Sequence, residues 1–270
     1  MYCTNCGRLR GEGAFYCQHC GHLLSSPGPS PSVAGEDQRA EGPGVPWRGG
    51  QVALAILLVA ILVIPASLAA FGIGALAGRY EEAVITWFTV HLTGLVIVGV
   101  VWYLGVHRCR APASMLGLVP WGVPRPKTAL MTAGTLGFSL AATAVYATLI
   151  SAAGPEVFSP PDIPSDIAFP GLSVVFTFQA LALATPLTEE IFFRGFIFAG
   201  LIPRLGVGWA MVASAAIFSV SHVSVGVLVP IFITGLALAW LYWRTGSLWT
   251  SIAAHAGQNA LVVAVQAYLA

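Results

Sequence analysis

The chain has 270 residues, 57% of them hydrophobic and only 9% charged, with a formal net charge of +1 at pH 7. Soluble domains run about 45–50% apolar and about 25% charged, so an ordinary water-soluble fold is excluded for most of this chain and lipid must be its solvent. The near-neutral balance offers no basic stripe to neutralise phosphates, which argues against a nucleic-acid partner.

The chain opens with two cysteine pairs, Cys3-Thr4-Asn5-Cys6 and Cys17-Gln18-His19-Cys20, each followed by a glycine, Gly7 and Gly21. Zinc takes four thiolates in a tetrahedron, and a two-residue gap folds the chain into a knuckle that aims both sulfurs at one ion. Glycine after each knuckle permits the positive-φ turn that brings backbone amides towards the sulfurs. The spacing predicts a zinc-ribbon module over residues 1–23 with Cys3, Cys6, Cys17 and Cys20 as ligands of a structural zinc. Two disulfides or free thiols are the alternatives. A closed four-cysteine site leaves no open coordination position, so this zinc is not expected to catalyse anything. His19 reads as a surface residue. Thiols in this pattern favour a reducing, cytosolic side for the N-terminus. Residues 24–49 are rich in Pro, Gly and Ser and hold too few apolar groups to offset the entropy of ordering, which predicts a disordered linker. The first long apolar run begins only near Gln51, too far in for the apolar core of a secretory signal.

From residue 50 to 270 apolar stretches recur with short breaks. A membrane-spanning helix needs roughly 20 predominantly apolar residues, and the candidates are 51–78, 83–106, 128–153, 171–201, 207–223, 226–243 and 247–269. The fourth carries Pro186 near its middle, where the missing backbone donor predicts a kink or a fresh start, with Thr185 suited to an N-cap. The expected fold is an all-α polytopic membrane helix bundle of seven to eight spans plus the small N-terminal zinc ribbon. Arg108, Arg110, Arg125 and Lys127 lie between the second and third spans, whereas Glu156, Asp162 and Asp166 lie between the third and fourth. The positive-inside rule then places the first loop, and the N-terminus with it, in the cytoplasm. Ala113 to Leu118 could rest in the membrane interface, and Cys109 is expected to be a free thiol.

An ionisable group inside a span costs about 2.5–3.5 kcal/mol on insertion scales, so a segment that keeps several has a use for them. The fourth stretch reads Thr185-Pro186-Leu187-Thr188-Glu189-Glu190-Ile191-Phe192-Phe193-Arg194-Gly195. Glu190 and Arg194 are i,i+4 on a helix and near enough to pair, which leaves Glu189 about 100° around the helix without a local partner. Phe218 and His222 share one helical face of a later span, and His255 and Asn259 share a face of the last. Measured at 1.5 Å per residue from the expected cytoplasmic ends, Glu189 lies ~18 Å deep, His222 ~21 Å, His255 ~12 Å and Asn259 ~18 Å. Six costly groups in one layer of the membrane read as a site more readily than as packing. His91, Gln179 and Gln266 read instead as interhelical hydrogen-bond partners.

Glu-Glu-x-x-x-Arg, then Phe-x-x-x-His, then His-x-x-x-Asn, in this order on successive apolar helices, resembles the type II CAAX prenyl endopeptidase family, which also holds bacteriocin-processing and bacteriocin-immunity proteins of bacteria. The resemblance runs over about residues 80–265, and the zinc ribbon and linker stand outside it. It implies a membrane-embedded endopeptidase of the bacterial cell membrane that cleaves near the end of a membrane-associated peptide, prenylated or not. Carried to these positions, Glu189 would activate water with help from His222. Glu190 and Arg194 would brace the helix, while His255 and Asn259 would stabilise the oxyanion. Such roles suit the chemistry, because amide hydrolysis needs a base for the water proton and donors aimed at the developing negative oxygen. A zinc-bound water held by the two histidines and a glutamate is the alternative. The metal-free reading is preferred because no His-Glu-x-x-His motif supplies a ready ligand face. A non-enzymatic immunity or scaffold protein, with the ribbon recruiting a protein partner, competes with the peptidase. A transporter is disfavoured because no two matching halves with broken helices are visible.

Overall fold

The structure is a computed structural model, and it describes residues 44–78, 81–120, 124–159 and 173–269. The expected zinc ligands Cys3, Cys6, Cys17 and Cys20, the module 1–23, most of the linker, and Asp162 and Asp166 lie outside the described residues, as does the side chain of Gln266. The described residues are all-helical, with no strand among them.

Helix α1 spans Gly49–Gly74 and packs along α2, Glu81–Val101, which continues as a π-helical end, Trp102–His107. Helix α3 is Arg125–Ala153. A composite rod follows: α4 (Ser173–Phe178), a π-helical turn Gln179–Ala184, α5 (Thr185–Glu190), a second π-helical stretch Ile191–Phe198, and α6 (Ala199–Val220). Helix α7 (Leu228–Thr245) returns against α6, and α8 (Leu248–Leu269) lies beside α3 and α7.

Pro186 does not break the rod as expected. The π turn before it widens the helix to i→i+5 bonding, which lets the chain absorb a residue without an N–H. Thr185 donates its hydroxyl to the Ala180 carbonyl at 3.1 Å instead of capping a new helix. The break comes at Gly206, whose φ of 72° and ψ of 166° are non-helical and need glycine's freedom.

Among the described residues five helices are long and apolar enough to cross a membrane, by length and composition: Gly49–Gly74, Glu81–His107, Arg125–Ala152, Val174–Val220 and Val225–Thr245. The seven or eight spans expected from sequence reduce to these five on that criterion. Two of the expected spans merge into the single Val174–Val220 run, and α8 drops out. Leu57, Ile61, Ile64 and Leu68 on α1, and Leu130, Phe138, Val145 and Leu149 on α3, are exposed. A bundle with large aliphatic groups on its outside is built for an apolar solvent.

The stretch Ile191–Phe198 is the axis of this bundle, with all eight residues buried. Trp47 reaches it from before α1. Although it falls within the stretch read as linker, Trp47 is fully buried, stacks on Phe196 with ring centroids 5.2 Å apart, and donates its indole N–H to the Phe196 carbonyl at 2.9 Å. Gly105 and Gly200 leave the room it needs, since a Cβ on Gly200 would lie 2.7 Å from the indole. Gln51 ties the start of α1 to the end of α2 through the Leu104 carbonyl and Cys109 Sγ, both at 3.1 Å, and Cys109 is a free thiol as expected. Leu116 is buried, and the backbone beyond it is bound to the start of α8 through Leu248 N–H and the Gly117 carbonyl at 2.8 Å.

Trp47→Ala removes the stack and the indole's bond to the Phe196 carbonyl, so it should destabilise the bundle by about 3–5 kcal/mol. Thermal unfolding in detergent checks this, and an unchanged midpoint would mean that Trp47 carries no packing energy.

Candidate active site

Each polar group of the site is set by a different piece of helix. The turn from α5 into the second π stretch carries Glu189, Glu190 and Arg194, the end of α6 and the turn after it carry Phe218 and His222, and α8 carries His255 and Asn259. Close packing brings the pieces together. A Cβ on Gly94 of α2 would meet Thr188 at 3.1 Å, and one on Gly235 of α7 would meet Ala215 of α6 at 3.0 Å.

The expected pair is present, with Arg194 Nη1 donating to Glu190 Oε1 at 2.6 Å and both side chains fully buried. Removing two charges from water costs several kcal/mol per ion, and such a pair persists only when further bonds satisfy it. Those bonds come from three other helices. His255 Nδ1 meets Glu190 Oε1 at 2.9 Å, and Arg194 Nη2 donates to the Gly235 carbonyl at 3.3 Å. The guanidinium also lies 4.3 Å from the centroid of the Phe218 ring, a cation–π contact out of water.

Glu189 stands apart from this pairing. Its Oε2 has no hydrogen-bond partner and lies 3.7 Å from His255 Nε2, beyond bonding distance. One imidazole therefore sits between two carboxylates, bonded to Glu190 and facing Glu189. Because Glu190 already accepts from a guanidinium, Nδ1 of His255 is its natural donor, which leaves Nε2 as the atom turned to Glu189. His222 Nδ1 contacts the Phe218 carbonyl at 2.9 Å. A carbonyl only accepts, so Nδ1 carries the hydrogen and Nε2 of His222 is free as well. Phe218 packs edge-to-face against both imidazoles, with centroids 5.0 Å from His222 and 5.7 Å from His255. Glu189 lies within electrostatic reach of both histidines.

The structure thus brings Glu189, Glu190, Arg194 and His255 into one cluster, with His222 joined to it through Phe218. Asn259 is one turn along α8 from His255, and its amide donates to the Leu181 carbonyl of the first π turn at 2.9 Å. Among the described residues no three His, Cys, Asp or Glu side chains are grouped to hold a metal ion. His91 joins Gln179 across helices at 3.1 Å, the hydrogen-bonding role expected of both.

Three supports escaped the sequence reading: the Gly235 carbonyl, the Phe218 ring as a plate beneath Arg194, and a polar node of α3, α7 and α8. In that node Ser139 Oγ bonds Thr234 Oγ1 at 2.5 Å and Gln258 Oε1 at 2.6 Å. Small hydroxyl residues in apolar runs were the only signal of this node.

Residues 171–261 match the model of the type II CAAX prenyl endopeptidase Rce1-like family, and all six candidate residues fall inside that stretch. Over 85 residues the chain is 34% identical to "Putative membrane peptidase YdiL" of Bacillus subtilis (strain 168), covering 32% of this chain and 35% of that protein. The chain therefore matches about a third of that relative's length. No solved structure matches it. Both comparisons point to a membrane protease.

Removing one partner of a buried pair leaves an uncompensated charge and typically costs about 3–5 kcal/mol. Arg194→Met should therefore lower thermal stability in detergent more than the double change Glu190→Gln with Arg194→Met. Equal losses in the two proteins would show that the pair is not what the surrounding helices respond to.

Proposed function

We propose that this chain is a membrane-embedded endopeptidase that hydrolyses a peptide bond in a membrane-associated substrate, with Glu189 as the base that activates water. The observation that carries this reading is the position of Glu189, a carboxylate left without a bond in a cluster whose other charges are paired, opposite the Nε2 of His255. A group spent on structure would be bonded. One with an open oxygen facing an imidazole can take a proton.

In this reading Glu189 removes a proton from water while the water oxygen bonds the substrate carbonyl carbon and the carbonyl electrons move to oxygen. His222 Nε2 accepts the second hydrogen of the water and orients it. Asn259, through the amide hydrogen not given to Leu181, and His255, in its doubly protonated form, stabilise the oxyanion. Collapse of the intermediate breaks the C–N bond, and Glu189 returns its proton to the departing amine. Glu190 and Arg194 act through His255, holding its ring and tautomer. The family match supports a peptidase, and its name suggests prenylated carboxyl-terminal peptides as a substrate class. In the membrane, the rod either side of Gly206 would cross twice and α8 once, giving seven crossings with the N-terminus in the cytoplasm.

General acid–base groups contribute about 10²–10⁴-fold to rate. Glu189→Gln should reduce cleavage of a membrane-tethered peptide by that much in protein that inserts and melts like the wild type, with products followed by mass spectrometry. Cleavage at the wild-type rate would remove Glu189 from the role of base.

A further inference from the structure

The end of α2 holds a second polar concavity, separate from the cluster above. A cavity of about 560 Å³ is lined by Tyr103, Val106, His107, Arg108 and Arg110. Helix ends collect basic residues for an ordinary reason, since their carbonyls lack partners and the dipole favours cations there. That reason does not account for these arginines. Four carbonyls of this end are already taken. Tyr103 accepts from Arg108 N–H at 2.9 Å, Val106 from Ala111 N–H at 3.0 Å, and His107 from Arg110 N–H at 3.2 Å. Leu104 accepts from Gln51 Nε2 at 3.1 Å and Cys109 Sγ at 3.3 Å. Among the described residues, the guanidiniums keep their donors free, and none of the ion pairs includes Arg108 or Arg110.

The backbone holds these donors together. The helix widens into π-helical turns over Trp102–His107, and Arg110 then adopts a φ of 50°, a left-handed conformation that a Cβ disfavours. Strain of this kind persists where the surroundings impose it, and it concentrates at binding sites. Arg110 lines the wall of the cavity together with Arg108. Tyr103 stacks on His107, one turn on, with centroids 5.9 Å apart. Trp102 and Tyr103 are each 54% exposed, the amphipathic aromatics that sit at the headgroup level of a bilayer.

We propose that Tyr103, His107, Arg108 and Arg110 form a headgroup site for an anionic phospholipid at the end of α2. Two guanidiniums match a phosphodiester by paired N–H donation, and the aromatic ledge continues into the lipid that would hold the acyl chains. The assignment stands on this end of α2 alone and does not depend on peptidase activity.

The test uses the full-length protein in nanodiscs of phosphatidylcholine with phosphatidylglycerol at equal fraction, read by native mass spectrometry after transfer to detergent. The wild type should retain phosphatidylglycerol over phosphatidylcholine, and Arg108→Ala with Arg110→Ala should weaken that preference about 30-fold. Arg125→Ala with Lys127→Ala, in the first turn of α3 and not lining the cavity, should leave it intact. Millimolar inorganic phosphate should not displace the lipid, whereas displacement would identify free phosphate as the ligand and overturn the lipid assignment. Equal losses in the two double variants would reduce the effect to loop charge and overturn it too. Should the first variant fail to insert, the wild type alone decides, because no preference for phosphatidylglycerol ends the proposal.

Discussion

The buried Glu190–Arg194 pair is the constraint around which the rest is arranged. An idealised transfer of one such ion from water to a low-dielectric interior costs of order 20 kcal/mol, and several kcal/mol per ion remain after relaxation. At a separation of 2.6 Å and zero exposure the two charges recover much of this from each other, but the guanidinium has further donors and the carboxylate a further oxygen to satisfy. The bundle answers part of those demands from three directions: His255 of α8 on the same carboxylate oxygen, the Gly235 carbonyl of α7 and the Phe218 face of α6, while among the described residues Glu190 Oε2 and Arg194 Nε find no hydrogen-bond partner. Satisfying one ion pair thus converges four pieces of helix.

Convergence at that density requires backbone that is not ideal. Two π-helical stretches flank α5, so the short segment bearing both glutamates is bounded on each side by a wider turn. The second stretch is buried on every side, which only the axis of a bundle can be. With Glu190 committed to Arg194, the adjacent Glu189 turns to a different neighbour and meets His255 from the other side. The pair therefore does two things at once: it locks the imidazole by one ring nitrogen and leaves the other facing a free carboxylate. An apolar core of the same volume could match the stability, but it could not orient that ring.

Much of this was legible in the residues, and the remainder has identifiable causes. The Glu190–Arg194 spacing is local, so helical geometry alone predicts it. The common depth expected of Glu189, His222, His255 and Asn259 rests on helix rise alone, and of the six site residues Glu189, Glu190, Arg194 and His255 come together directly. The His255–Glu190 contact joins residues 65 apart in sequence, a matter of which helix faces neighbour one another, which composition does not encode. Pro186 was expected to interrupt the rod because proline lacks a donor, but the π turn that accommodates it has no sequence signature. Trp47 sits among prolines and glycines that mark a linker, and its role depends on gaps at Gly105 and Gly200 on distant helices.

Helix α8 shows why a hydropathy criterion passes over part of a site like this one. At 22 residues it is long enough to cross a bilayer, yet it is absent from the five helices that qualify by composition. The polar groups that lower its hydropathy are addressed inward rather than to lipid: His255 to Glu190, Gln258 to Ser139 of α3, and Asn259 to the Leu181 carbonyl. Alone in hydrocarbon, each would be an unsatisfied group costing several kcal/mol. Inside the bundle each has a partner, so α8 tolerates its polar groups only as part of the assembly that it completes. The long helix that fails the hydropathy criterion is then the one whose placement depends most on its neighbours, and it carries both candidate oxyanion donors.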